Sequence, residues 1–204
     1  MSLVSTIRLA AVALAEYACG EHGRSKDDSV YSEVTEGRDV PPMRARYSSC
    51  GDLGHWLLWR LGCRADWLNR KAAPHGYRIG LNVSLLATQG AIPDGIGWQP
   101  EPGDLLVIWN APNGGDAHVC VWLGDGRVAN YGAGGMSAAA SPGANITTPI
   151  LSWDGHCWRL GKRQVQRHLS LAKVPFTAKP DLSGAALAGE VIDALEVPNA
   201  TESA

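Results

Sequence analysis

Residues 118–131 read HVCVWLGDGRVANY, and this stretch decides the fold that the sequence predicts. Two apolar runs rich in strand-forming residues flank Gly124-Asp125-Gly126, whose residue types favour a tight hairpin turn. We therefore predict one strand over 117–123 and a second, antiparallel strand over 127–131.

The length of the hairpin loop decides which side chains share a face. With a three-residue loop, Cys120 pairs with Asn130, and His118 becomes a diagonal neighbour of Asn130 on the same face, within side-chain reach. A two-residue loop would put His118 and Asn130 on opposite faces, because a shift of one residue reverses every side chain. The sequence leaves both arrangements open.

Further strands are predicted on both sides of this hairpin. Pro102-Gly103-Asp104 introduces the continuous apolar run 105–109, which has the composition of a buried strand. Downstream, 149–153 and 157–160 flank a turn and predict a second hairpin. The small residues of 132–145 predict a loop, and the basic stretch 162–168 is expected to form a solvated face.

Helical patterns come before the strands. Apolar residues recur at helical spacing over 3–19 and over 50–61, and each pattern is followed by a glycine. Shorter helices are expected over 65–71 and 81–89, whereas the polar stretch 20–46 predicts a long loop. Helices followed by antiparallel strands predict an α+β fold, with the N-terminal helices packed on a central antiparallel sheet.

Composition excludes several classes of protein. The 204 residues carry a net charge of −2, so bulk-charge binding to nucleic acid is not expected. No apolar run approaches the ~20 residues of a membrane span. The apolar stretch Leu9–Ala15 lacks a basic leader, so we expect no signal peptide and synthesis in the cytoplasm.

The sequence predicts one domain and a tail. The domain covers 1–174, and the Ala/Pro/Gly-rich, acidic tail covers 175–204. Leu187, Val191 and Leu195 have the spacing of one short helix, and the end of the tail is expected to be disordered.

Most of the five cysteines are expected to be buried, reduced thiols, but their odd number raises the question of which one could act as a nucleophile. No pair has zinc-ligand spacing, so we expect no metal and no cofactor. Cys50 stands where a buried helix is predicted to begin. Unpaired backbone N–H groups and the positive end of the helix dipole favour a thiolate there, and the thiolate is the form that attacks carbonyl carbon.

These residues together resemble the NlpC/P60 superfamily of papain-like cysteine hydrolases, with their CHAP relatives. The matching pieces are Cys50-Gly51-Asp52-Leu53 at a helix start, Glu101-Pro102-Gly103-Asp104-Leu105-Leu106-Val107, and His118 to Gly126. Asn130 falls where the family has a third polar residue. The resemblance covers roughly 40–135 and implies the papain-like NlpC/P60 fold.

The resemblance also implies a mechanism. His118 would take the proton of Cys50 to give a thiolate–imidazolium pair, and Asn130 would fix the imidazole tautomer. A tyrosine upstream of the nucleophile contributes to the oxyanion hole in the family, and Tyr47 and Tyr31 are the candidates here. Trp109 and Trp122 are candidate substrate contacts, because they lie on the strands near the predicted site.

The implied substrate is the peptide part of peptidoglycan, cleaved by an endopeptidase or an N-acetylmuramoyl-L-alanine amidase. Such an enzyme without a signal peptide would reach the wall by a non-classical route, as a phage lysin or an injected effector. Two alternatives stay open: an acyltransferase or transglutaminase-like enzyme of the same fold, and a catalytically silent binding or virion module.

Overall fold

The computed structural model describes residues 3–19, 50–64, 67–68, 97–109, 118–131, 144–177 and 179–182. Their helices are α1 (Leu3–Cys19), α2 (Cys50–Arg60) and a short 3-10 helix (Leu171–Lys173). The strands are β1 (Leu105–Trp109), β2 (His118–Gly124), β3 (Arg127–Tyr131), β4 (Ala144–Thr147), β5 (Leu151–Trp153), β6 (Trp158–Leu160) and β7 (Arg163–Leu169). The predicted mixture of helices and an antiparallel sheet is confirmed.

Both predicted long helices are present, and their ends follow local chemistry. The apolar stripe of α1 is buried, including Ile7 and Leu14. Helix α2 ends in a Schellman motif, in which Gly62 N–H donates to the Trp59 carbonyl and Cys63 N–H donates to the Leu58 carbonyl, both at 2.9 Å. Gly62 adopts a φ of 79°, which a residue without a side chain adopts at little cost.

The sheet has the strand order β4-β3-β2-β1-β7-β6-β5. Strand β7, which covers most of the basic stretch 162–168, pairs with both β1 and β6 in the middle of the sheet. The expectation of a solvated basic face agrees with the exposed Lys162 and is wrong for Arg163. Arg163 is only 7% exposed, although it belongs to that basic stretch. The predicted loop over 132–145 also ends early, because β4 begins at Ala144 and pairs with β3.

The sheet curls so that its two edges approach each other. Strands β4 and β5 are the edge strands of the described sheet, yet only residues 148–150 connect them. That connection spans at most about 14 Å. A flat seven-stranded sheet would separate its edges by about 29 Å. The connection is also tied to the β6–β7 turn, where Gly161 N–H donates to the Ile150 carbonyl at 2.8 Å.

Curling separates the core into two clusters, one on each face of the sheet. The outer cluster joins α1 and α2 to odd-numbered residues of β1 and β2, among them Leu105, Val107, Val119 and Val121. The inner cluster consists of Leu106, Ile108, Cys120, Trp122, Val128, Trp158, Leu160 and Val165. Both faces of β2 are therefore buried, and the described helices α1 and α2 cover the outer one.

The hairpin between β2 and β3 has a two-residue turn, but its strands pair as the sequence predicts for a three-residue loop. Asp125 and Gly126 form a two-residue turn with positive φ angles of 51° and 74°. The register shifts between Trp122 and Gly124, so one extra residue is accommodated in β2. This irregularity restores the pairing of Cys120 with Asn130, and the predicted partner of Cys120 is confirmed.

The chain continues to pack on the domain beyond residue 174, where we placed the start of the tail. Phe176 forms an antiparallel bridge with Cys63, and Arg64 N–H donates to the Pro175 carbonyl at 2.8 Å. Asp181 N–H donates to the carbonyl of Arg60 at 2.6 Å. The segment 175–182 therefore binds the C-terminal end of α2.

Several sequence predictions lie outside the described residues. These are the loop over 20–46, the helix over 81–89, the helix that includes Leu187 and the disordered end of the tail. Of the predicted helix over 65–71, residues 67–68 are described and are helical. Within the described ranges, no helix combines the length and apolar character that crossing a membrane requires.

Candidate active site

Cys50 is the first residue of α2, as the sequence predicts. Its side chain is half-buried and packs against the outer cluster. It lies three and seven residues before Leu53 and Leu57, which places it on the buried side of the helix. A thiol at this position lies beside the backbone N–H groups of the first helical turn, which have no carbonyl partner within the helix.

His118 and Asn130 meet as the hairpin register predicts. Nε2 of His118 lies 3.1 Å from Oδ1 of Asn130. The residues are 6% and 2% exposed, so water competes little for this hydrogen bond. The predicted side-chain contact between His118 and Asn130 is therefore present in the structure.

The surroundings of Asn130 determine which atom of His118 carries the proton. The amide nitrogen of Asn130 donates to the Val128 carbonyl at 3.3 Å and to Oγ1 of Thr147 at 3.0 Å. Its oxygen must then face His118 and accept from Nε2. A neutral imidazole with its proton on Nε2 has its lone pair on Nδ1, so Nδ1 is the atom that can accept a proton.

Burial keeps this imidazole neutral. Loss of hydration lowers the pKa of His118 from 6.5 to about 4, the hydrogen bond with Asn130 opposes this shift, and the nearby charge of Arg163 reinforces it. The resemblance implied a resting thiolate–imidazolium pair. A histidine whose pKa is lowered this far has a neutral ring at pH 7.

Two further groups share the inner face with His118. Cys120 is fully buried, and burial raises the pKa of its thiol, with a further increase from Cys50 and an opposing effect from Arg163. Arg163 opens β7 and acts on both His118 and Cys120. Arg163 belongs to the basic stretch that we expected to be solvated. The alternation of β7 could have indicated its burial, because Val165 lies two residues on.

The structure places Cys50 and His118 on opposite faces of β2. Cys50 packs on the outer cluster, which includes Val119, whereas His118 shares the inner face with Cys120. The charge of Cys50 nevertheless acts on Cys120, two residues from His118. His118 is the first residue of β2.

The other predicted site residues have different positions. Trp122 is 5% exposed and belongs to the inner cluster, so it packs in the core where we predicted a substrate contact. Trp109 ends β1, and its side chain is outside the described part of the chain. Tyr47 and Tyr31 also lie outside the described residues.

The Pro-Gly-Asp motif before β1 serves as an anchor of the fold. The Asp104 side chain, 1% exposed, accepts hydrogen bonds from Arg8 of α1 at 2.6 Å and from Leu171 N–H at 3.0 Å. Its other oxygen lies 2.7 Å from Nε2 of His168 on β7. Sequence reasoning missed this network, although a buried-strand motif that begins with a carboxylate indicates that a cation must lie nearby.

The comparisons with known proteins add no neighbour to this geometry. Searches of protein-family models, of curated proteins and of solved structures found no match to the chain.

Proposed function

We propose that this protein is a cysteine hydrolase of the papain-like NlpC/P60 type, with Cys50 as nucleophile, His118 as general base and Asn130 as orienting residue. The observation that carries the proposal is the buried 3.1 Å hydrogen bond between Nε2 of His118 and Oδ1 of Asn130. It leaves Nδ1 as the acceptor of a neutral ring, which is the state that a general base requires.

The chemistry begins with proton transfer from Sγ of Cys50 to Nδ1 of His118 as the sulfur bonds to the substrate carbonyl carbon. Backbone N–H at the start of α2 stabilises the resulting oxyanion, and one such donor is worth about 3–4 kcal/mol. The imidazolium then gives its proton to the leaving amine as the C–N bond breaks. Water hydrolyses the remaining thioester and regenerates the thiol.

The substrate follows from the resemblance and not from the site itself. We infer the peptide part of peptidoglycan, cut by endopeptidase or N-acetylmuramoyl-L-alanine amidase action. An acyltransferase would use the same thiol and base and would pass the acyl group to an amine or lipid. Mass analysis of the products separates the two, because only hydrolysis adds water to the acyl fragment.

A catalytically silent binding module is the second candidate, and one observation favours it. The apolar side of α2 packs on the outer face of β2, whereas the His118 ring belongs to the inner face. If the Cys50 thiol cannot reach the His118 ring around the end of β2, the hydrogen bond between His118 and Asn130 only pairs two buried polar groups and has no catalytic role.

Digestion of purified peptidoglycan tests the proposal directly. We expect the native protein to release fragments with new amine and carboxyl ends, and Cys50→Ala and His118→Ala to release none while they remain folded. Cys157→Ala is the matched control, because this thiol lies in the β5–β6 hairpin, outside the site. Activity that survives in Cys50→Ala would refute the proposed nucleophile.

Thiol alkylation distinguishes the enzyme from the silent module. Cys19, Cys63 and Cys120 are buried, so Cys50 and Cys157 are the described thiols open to iodoacetamide. Burial and Asp154 raise the pKa of Cys157. An active site predicts that Cys50 reacts faster than Cys157 at pH 7, because Nδ1 of His118 takes the thiol proton as the sulfur attacks, and that His118→Ala slows the reaction of Cys50 alone. Equal rates that do not respond to His118→Ala would favour the silent module.

A further inference from the structure

Thr147 lies behind the orienting residue of the proposed site. Its Oγ1 accepts a hydrogen bond of 3.0 Å from the amide nitrogen of Asn130. Thr147 is half-buried on β4 and pairs with Val128, so it is a diagonal neighbour of Asn130 on the inner face. The three strands β2, β3 and β4 therefore contribute one polar chain, which runs from His118 through Asn130 to Thr147.

The two acceptors around Asn130 hold its amide in one orientation. Each N–H of the amide has its own acceptor, Oγ1 of Thr147 or the carbonyl of Val128. A reversed amide would bring its oxygen against the Val128 carbonyl, which can only accept hydrogen bonds. The Val128 contact is the longer of the two, at 3.3 Å against 3.0 Å, so the bond to Thr147 is the tighter restraint.

We propose that Thr147 is a positioning residue of the site: it fixes the amide of Asn130, so that His118 keeps its proton on Nε2 and presents Nδ1 as the base. The effect of Thr147 on catalysis rests on the proposed hydrolase function. Its effect on the structure, which is to protect the Nε2 proton of His118 from exchange, does not rest on that function. The two can therefore be tested separately.

Substitutions of similar size can remove the Thr147 hydroxyl with little change in side-chain packing. Valine has the shape of threonine and lacks the hydroxyl, whereas serine keeps the hydroxyl and lacks the methyl group. Thr147→Val and Thr147→Ser thus separate the hydrogen bond from the packing contribution. Thr147→Ala removes the hydroxyl without any new contact and serves if the valine variant does not fold.

Nuclear magnetic resonance of the full chain tests the structural consequence. We measure the exchange rate of the His118 Nε2 proton with water in the native protein and in the variants. Loss of the Thr147 bond frees the amide to move, so we expect exchange about tenfold faster in Thr147→Val and within about twofold of the native rate in Thr147→Ser. An unchanged rate in Thr147→Val, with faster exchange in Asn130→Ala, would overturn the role of Thr147.

Peptidoglycan hydrolysis tests the catalytic consequence. We expect kcat about tenfold lower in Thr147→Val, an unchanged KM and recovery in Thr147→Ser, because the residue acts on the base and not on the substrate. A purely structural role would lower activity in all variants in proportion to the folded fraction, with no change in proton exchange. If the native protein hydrolyses nothing, the proposed function fails, and the exchange rates still decide whether Thr147 fixes the amide.

Discussion

Nε2 of His118 lies 3.1 Å from Oδ1 of Asn130, and the two residues belong to different strands of a buried hairpin. This contact orients the ring and opposes the effect of burial on the pKa of His118. It therefore controls both which nitrogen is basic and how basic that nitrogen is.

Replacement of Asn130 by alanine should reduce hydrolysis by about two orders of magnitude, since the base loses its orientation. The pKa of His118 should fall below about 4, because the removed hydrogen bond is the one that raises it. Titration of the His118 ring by nuclear magnetic resonance measures the second effect, and kcat measures the first. A pKa above the native value in Asn130→Ala would contradict the assignment.

How far the sequence predicts this site depends on the range of the contacts. The pairing of Asn130 with Cys120 is local, since one turn sets the register of the hairpin. The Thr147 contact comes from a strand whose start lies in the stretch predicted as a loop. The relevant signal was weak, because 132–145 is rich in Gly and Ala and only the last residues of β4 are typical of strands.

The face that each helix covers could not be predicted. Strand β2 is buried on both faces from His118 to Leu123, so its sequence lacks the alternation of polar and apolar residues that marks a core side. The sequence thus places Cys50 at a helix start and His118 at a strand start. It does not reveal that α2 packs on the side of Val119 while His118 faces the inner cluster.

The depressed pKa of His118 predicts a specific loss of stability in mild acid. Above pH 6.5 the ring is neutral in both the folded and the unfolded state, so it contributes no pH dependence. Between pH 6.5 and about 4, the unfolded chain binds a proton that the folded protein excludes, so the free energy of unfolding falls as pH falls. The total loss is roughly 3 kcal/mol, and it stops below the folded pKa.

Urea unfolding at a series of pH values, for the native protein and for His118→Gln, measures this contribution. The difference in stability between the two proteins should change with pH within that window and stay constant above it. The same pKa predicts that hydrolysis persists down to about pH 4–5, where an exposed histidine would already be protonated. An activity profile with an acid limb near pH 6.5 would contradict the assignment of buried His118 as the proposed base.

The Asp104 carboxylate should stabilise the fold far more than its neighbour Glu101. Both carboxylates form ion pairs with Arg8, but the Asp104 side chain is 1% exposed and that of Glu101 is 65% exposed. Asp104→Asn leaves the buried Arg8 charge poorly compensated, which costs about 3–5 kcal/mol. Glu101→Gln, the matched control, should cost less than about 1 kcal/mol.

This contribution is lost as pH falls, like that of His118, but it is lost at a lower pH. Burial alone would raise the pKa of Asp104, but hydrogen bonds from His168, Arg8 and two backbone N–H groups outweigh it and hold the pKa below 3.8. The stabilisation by the Asp104 carboxylate is complete above the pKa that this group has in the unfolded chain. It is lost as pH falls through the lower pKa that the group has in the folded protein. Equal free energies of unfolding for Asp104→Asn and Glu101→Gln would show that the network is not the anchor.

Gly103 and Gly126 allow backbone strain to be separated from steric overlap. Both have positive φ, at 89° and 74°, so alanine is strained at either position. A Cβ at Gly103 would lie 2.6 Å from Cδ1 of Leu171 and 2.8 Å from Cβ of Ala11, whereas one at Gly126 would meet nothing within 4 Å.

Gly126→Ala should therefore cost only the backbone strain, about 1–2 kcal/mol. Gly103→Ala should cost that amount and a further ~1–3 kcal/mol, because α1 and the 3-10 helix must move away from β1. Urea unfolding of the two variants at pH 7 measures the difference, and equal losses would mean that α1 does not approach Gly103 as closely as the structure places it.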